Sequence, residues 1–169
     1  MKKLVLLATL TAFAGCGDSS TSPSQGPIVF TSALSAANEV PAITNAEANG
    51  RGTATMTINA PRDSSGAITG PGTMNFSVQL SGFPAGAVLR AAHIHPGAAG
   101  VNGSPLVGTP LSAANPVTLT DGTGALIFTD VAISQTDAQA IATNPAGFYF
   151  NAHSVLNTGG AVRGQLVRQ

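Results

Sequence analysis

The chain reads as an all-β protein, a sandwich or barrel of short strands with one short helix. Three observations predict this. Apolar and polar residues alternate with period two, as in Thr53-Ala54-Thr55-Met56-Thr57-Ile58 and Met74-Asn75-Phe76-Ser77-Val78-Gln79-Leu80, the signature of strands buried on one face only. Turn-forming clusters punctuate the runs, among them Asp63-Ser64-Ser65-Gly66 and Asp121-Gly122. Charged residues make up only 8% of the chain, so the surface must be built mainly from Thr, Ser, Asn and Gly.

The amino terminus is a targeting segment. Lys2 and Lys3 precede an apolar run from Leu4 to Phe13, which suits a secretory signal and is too short for a mature spanning helix of about 20 residues. Phe13-Ala14-Gly15-Cys16 then places small residues before the only cysteine, the pattern of a bacterial lipoprotein signal. Residues 1–15 are therefore expected to be removed and Cys16 to carry a lipid. Membrane attachment through that lipid is the first expected partnership. Gly17 lacks the acidic character of a retention signal, so an outer-membrane or cell-surface address is preferred. Residues 16–27, with Asp18-Ser19-Ser20-Thr21-Ser22-Pro23-Ser24 at their heart, have a tether's composition, unable to bury enough apolar surface to fold. The folded unit is expected over residues 28–169.

Further strands are expected over residues 28–35, 87–95, 116–120, 124–131, 147–154 and 161–167. The helix is expected to start at Thr136, with Thr136 as N-cap, Gln139 completing a capping box and Asp137 near the positive helix end. Ala-rich residues 138–142 follow, and Asn144-Pro145 ends it.

Composition excludes several function classes. Without Lys2 and Lys3, five arginines face seven carboxylates, which offers no clustered positive face for nucleic acid. No Gly-x-Ser-x-Gly elbow presents a nucleophile, and no close carboxylate pair supports glycoside hydrolysis. Aromatic residues are 5% and Trp is absent, so stacking on sugars or bases is poorly provided for. The glycines after His95 are followed by neither a helix nor a Lys, which argues against a phosphate cradle.

The three histidines carry what chemistry the chain offers. His93 and His95 are two apart on one strand and share a face. His153 shares its face with Tyr149 and Asn151, opposite Phe148, Phe150 and Ala152. If the two strands are neighbours, three imidazoles converge, a set suited to copper or zinc. The same rings could instead bond the backbone of the Gly-rich 96–108 loop with no ion. Both readings stand at this point. Ile94 should face the core, and Arg90 would then lean the same way unless a bulge intervenes. Arg163, between Gly160 and Gly164, reads as a fork gathering loop carbonyls. Gly97, Gly100 and Gly103 read as positive-φ turn positions, and Glu39 as a loop acid able to pair with an Arg.

Four motifs in order then resemble a known family. They are Asn38-Glu39-Val40-Pro41; His93-Ile94-His95-x-Gly97-x-x-Gly100-x-Asn102-Gly103; Tyr149-x-Asn151-x-His153; and Gly159-Gly160-x-x-Arg163-Gly164-Gln165-Leu166. Together they resemble the CHRD domain, over residues 28–168. The resemblance implies an immunoglobulin-like Greek-key β-sandwich with limited likeness to copper/zinc superoxide dismutases. It implies no activity, since fold likeness does not transfer one. A bimetallic dismutase needs more imidazoles than three and commonly a disulfide. The expectation is a non-catalytic binding or interaction module for an unassigned protein or small ligand. The competing reading is a copper- or zinc-binding protein using His93, His95 and His153.

Overall fold

The structure is a computed structural model and describes residues 25–169. The signal segment, Cys16 and most of the tether lie outside the described residues. Ten strands form one continuous sheet: β1 (Ile28–Ser35), β2 (Arg51–Asn59), β3 (Gly72–Ser81), β4 (Ala87–Pro96), β5 (Val107–Gly108), β6 (Val117–Leu119), β7 (Gly124–Ile133), β8 (Phe148–Ser154), β9 (Val162–Gln165) and β10 (Val167–Arg168). Helix α1 (Gln135–Thr143) joins β7 to β8, and 3₁₀ turns occupy Ala36–Asn38 and Pro145–Gly147. The order across the sheet is β5-β4-β8-β9-β1-β2-β3-β7, with β6 also on β4 and β10 also on β1. All these pairings are antiparallel.

The sheet curls over itself. Phe76 on β3 and Phe150 on β8 are four steps apart in the sheet, yet their rings lie 6.0 Å centroid to centroid. Between the layers sits one apolar cluster in which Phe30, Met56, Met74, Leu89, Ile94, Leu119, Ile141 and Phe150 are fully buried. Each such side chain contributes about 1.5–3 kcal/mol by leaving water. Period-two alternation is the cause. Phe30↔Met56 and Met56↔Phe76 pair inward, while their neighbours Thr31↔Thr55 and Thr55↔Ser77 pair outward.

Two local expectations need correction. The helix is capped by Ser134, not Thr136: Ser134 Oγ accepts from the Asp137 backbone N–H at 3.0 Å and donates to the Asp137 carboxylate at 2.7 Å. Serine and aspartate three apart make the reciprocal cap one half-turn earlier. Gln139 is thereby released, and its amide oxygen accepts from Ile68 N–H while Gln135 donates to Ile68 O. The last strand expected over 161–167 is broken at Leu166, which turns into the core between β9 and β10.

A bulge in β4 resolves the conflict between Ile94 and Arg90. Leu89 pairs with Ser154 and Ala91 with His153, so Arg90 is the extra residue. It is exposed, while Leu89, Ala92 and Ile94 are buried. From Ala91 onward the strand is rephased, and His93 and His95 fall on the face away from the core cluster.

Candidate functional site

Register alone assembles the site. On β4 and β8, Ala91 pairs with His153, His93 with Asn151 and His95 with Tyr149. On β8 and β9, Asn151 pairs with Arg163 and Tyr149 with Gln165. Paired residues share a sheet face, so three strands present one polar surface.

The three imidazoles meet on it. Ring centroids are 5.4 Å apart for His93–His95, 5.0 Å for His93–His153 and 6.0 Å for His95–His153. One ligand nitrogen from each can be chosen so that all lie within 4.8 Å of one another. His93 Nδ1 and His153 Nε2 are 3.1 Å apart. Two nitrogens about 2.0–2.1 Å from a tetrahedral metal are separated by about 3.3 Å, so this pair already stands at ligand spacing.

Backbone carbonyls set the tautomers. His95 Nδ1 is 2.9 Å from Gly103 O, and His153 Nδ1 is 2.9 Å from Thr158 O. A carbonyl only accepts, so each Nδ1 carries the proton and each Nε2 keeps a lone pair. A second-sphere acceptor of this kind orients metal-binding histidines and raises their basicity. His153 Nε2 then accepts from His93 Nδ1–H, a proton that a metal ion would replace. His95 Nε2 is buried with no partner.

All three rings are held neutral. Burial pushes the His93 pKa down to about 4, reinforced by His153 and His95. Burial also lowers His95, against the opposing bond to Gly103, and lowers His153, against its bond to Thr158. Neutral imidazole is the metal-binding form. A shallow depression lined by Arg90, Ala91, His93, Pro105, His153 and Thr158 opens the cluster to solvent.

Around the rings, Arg163 organises the loop. It is 1% exposed. Its Nη1 donates to Asn102 Oδ1 at 3.0 Å, and Nη2 donates to Ala98 O at 3.0 Å and Val101 O at 2.8 Å. Its guanidinium lies 3.4 Å over the Tyr149 ring, and Tyr149 stacks on His95 at 4.9 Å with planes 4° apart. Asn102 in turn donates to Val40 O, and Asn38 donates to Arg163 O. Gly103 N–H donates to the Tyr149 hydroxyl. The fork reading of Arg163 is what its contacts support.

The glycines divide. Gly97 and Gly100 have φ of 148° and 80°, as expected, whereas Gly103 does not. It is glycine because a Cβ would run into the Pro96 carbonyl. Gly164 similarly leaves room for Ala33 O and Ser32 Oγ of β1.

Glu39 departs most from expectation. It is 7% exposed, not a loop acid in solvent. Burial raises its pKa to about 7, with the Arg163 charge and the Asn151 amide pulling the other way.

Several residues that hold the site carry no motif. Thr158 acts through its carbonyl alone. Glu47 is 2% exposed and accepts from Ser154 Oγ and Asn157 Nδ2, both at 2.6 Å. It thereby fixes the loop that delivers Thr158 to His153. An isolated Glu in a polar stretch gives no sign of this in sequence.

No curated protein matches the chain. The CHRD domain matches residues 30–166, a span that contains every strand of the polar face, the Arg163 fork and all three histidines. The chain therefore belongs to the CHRD domain family.

Proposed function

We propose that this chain is an exported, lipid-anchored, non-catalytic binding module that takes a copper or zinc ion on His93, His95 and His153. The observation that carries the reading is the imidazole cluster itself. Two nitrogens stand at ligand spacing, and two Nδ1–H groups are committed to carbonyls. A set of three neutral imidazoles suits copper or zinc better than harder cations. Attachment through Cys16 would hold this face at a membrane surface, and the ligand or partner served there is a protein or small molecule.

The test is metal titration of the purified chain by calorimetry with elemental analysis. One equivalent of copper or zinc is expected, lost in His95→Ala and His153→Ala. Less than a tenth of an equivalent, or equal binding by the doubly substituted chain, refutes the metal reading. In that outcome, loosening of the 97–105 loop in His95→Ala would mark the rings as loop clasps.

A further inference from the structure

Three buried side-chain atoms of the polar face have no hydrogen-bond partner: His95 Nε2, Asn151 Oδ1 and Glu39 Oε1. Their residues are 4%, 2% and 7% exposed. All three atoms are electron-pair donors, His95 Nε2 by virtue of the proton held on Nδ1 for Gly103 O. Folded proteins rarely leave buried acceptors unpaired; the Asn151 amide nitrogen lies beside Glu39, which leaves His95 Nε2 and Asn151 Oδ1 to be answered. A cation answers both.

The geometry points to Asn151. It lies on β8 between Tyr149 and His153, in register with His93, so its side chain rises among the imidazoles. Its amide is oriented from behind. A Cβ placed on Gly160 would lie 2.5 and 2.6 Å from the two Glu39 carboxylate oxygens and 2.7 Å from Asn151 Nδ2. The amide nitrogen and the carboxylate therefore crowd the same spot over Gly160. With the nitrogen turned to Glu39, the amide oxygen is left on the side of the His95 ring.

We propose, resting on the metal reading above, that Asn151 Oδ1 is a fourth ligand of the metal centre and that Glu39 is the residue that positions it. The donor set becomes three imidazole nitrogens and one neutral oxygen. Addition of a hard oxygen shifts preference away from Cu(I) toward Zn²⁺ or Cu²⁺. None of these four ligands is charged. Glu39 then places a carboxylate behind the ligand amide, within reach of the Arg163 charge. Its burial without a direct salt bridge acquires a purpose, because a carboxylate that holds a ligand amide is a second-sphere group of the kind whose loss commonly weakens metal binding about 10–100-fold.

The experiment titrates the wild-type chain, Asn151→Ala, Asn151→Asp and Glu39→Gln with Cu²⁺ and Zn²⁺, and records the Cu²⁺ electron paramagnetic resonance spectrum of each. Asn151→Ala should lose at least about 10-fold in affinity and change its copper hyperfine splitting, reporting a lost equatorial or axial donor. Asn151→Asp restores an oxygen with a charge and should bind at least as tightly as wild type. Glu39→Gln should weaken binding while all three imidazoles remain. If the wild-type chain takes no metal, the proposed function fails and this inference with it. If the wild type binds through its histidines while Asn151→Ala keeps both affinity and spectrum, this inference alone is overturned. Should Asn151→Ala not fold, reduced affinity or an unchanged spectrum in Asn151→Asp overturns it.

Discussion

Replacing Arg163 by Lys keeps the charge and removes the fork, which makes it the sharpest probe of how the site is held. The guanidinium reaches Asn102 Oδ1, Ala98 O and Val101 O at 2.8–3.0 Å and lies flat over Tyr149. An ammonium at the end of a shorter, rounder group can serve about one of those three acceptors. Two hydrogen bonds from a charged donor are lost, at about 1.5–3 kcal/mol each, together with a stacked cation worth about 1–2 kcal/mol. A total of at least about 4 kcal/mol is expected. That is a large share of the roughly 5–15 kcal/mol that holds a domain of this size together. At about 2–4 °C per kcal/mol, the midpoint should fall by about 10 °C in a thermal melt followed by circular dichroism. Limited proteolysis should open the 97–103 segment first, since its carbonyls are what the fork holds. A loss below about 1 kcal/mol with an equally protected loop would show that Arg163 is a surface charge and not a fastener.

Two further outcomes follow from the same face. Gly160 has φ of 138°, and a Cβ there would strike the Glu39 carboxylate and the Asn151 amide. Gly160→Ala should therefore cost about 1–3 kcal/mol in backbone strain alone, and a variant melting with the wild type would sink that account. Glu39 supplies a pH signature in metal-free protein. Its folded pKa of about 7 lies above the ordinary 4.5, so the folded chain binds the extra proton between those values, and stability falls as pH rises through that window. The three imidazoles, with lowered pKa values, act oppositely and lose stability as pH falls below about 6.5. Subtracting wild type from Glu39→Gln isolates the carboxyl: the advantage of the glutamine should grow from pH 4.5 to 7.5 in urea denaturation with chelator present. A flat difference across that range refutes the burial of the charge.

The sandwich was legible because β1, β2 and β3 obey period two. Thr53 to Ile58 and Met74 to Leu80 each place every second side chain in the core. Parity put His93 and His95 on one face and left their meeting with His153 to depend on the two strands being neighbours, which the pairing of β4 with β8 supplies. Ile94 facing the core required a break in β4, and that break falls at Arg90. What stayed hidden depends on which loop lies over which. Glu39 looks like a turn acid until the Ala36–Asn38 turn tucks it over Gly160. Glu47 and Thr158 matter through partners more than a hundred residues apart, or through a main-chain oxygen. The misplaced cap arose from a local tie: Ser134-x-x-Asp137 and Thr136-x-x-Gln139 are both plausible starts. The tie is broken only by Ile68, which engages both helix glutamines.

The single extra residue at Arg90 acts as a phase shifter in the chain's reading frame of inside and outside. Upstream of it odd-numbered positions point inward, downstream even-numbered ones do. Excising Arg90 would merge the two phases into one unbroken alternation, with Leu89, Ala92 and Ile94 still inward and both imidazoles still on the outer face. A one-codon deletion at position 90 thus leaves the imidazole face intact, whereas the same deletion between His93 and His95 would put the two rings on opposite faces of the sheet.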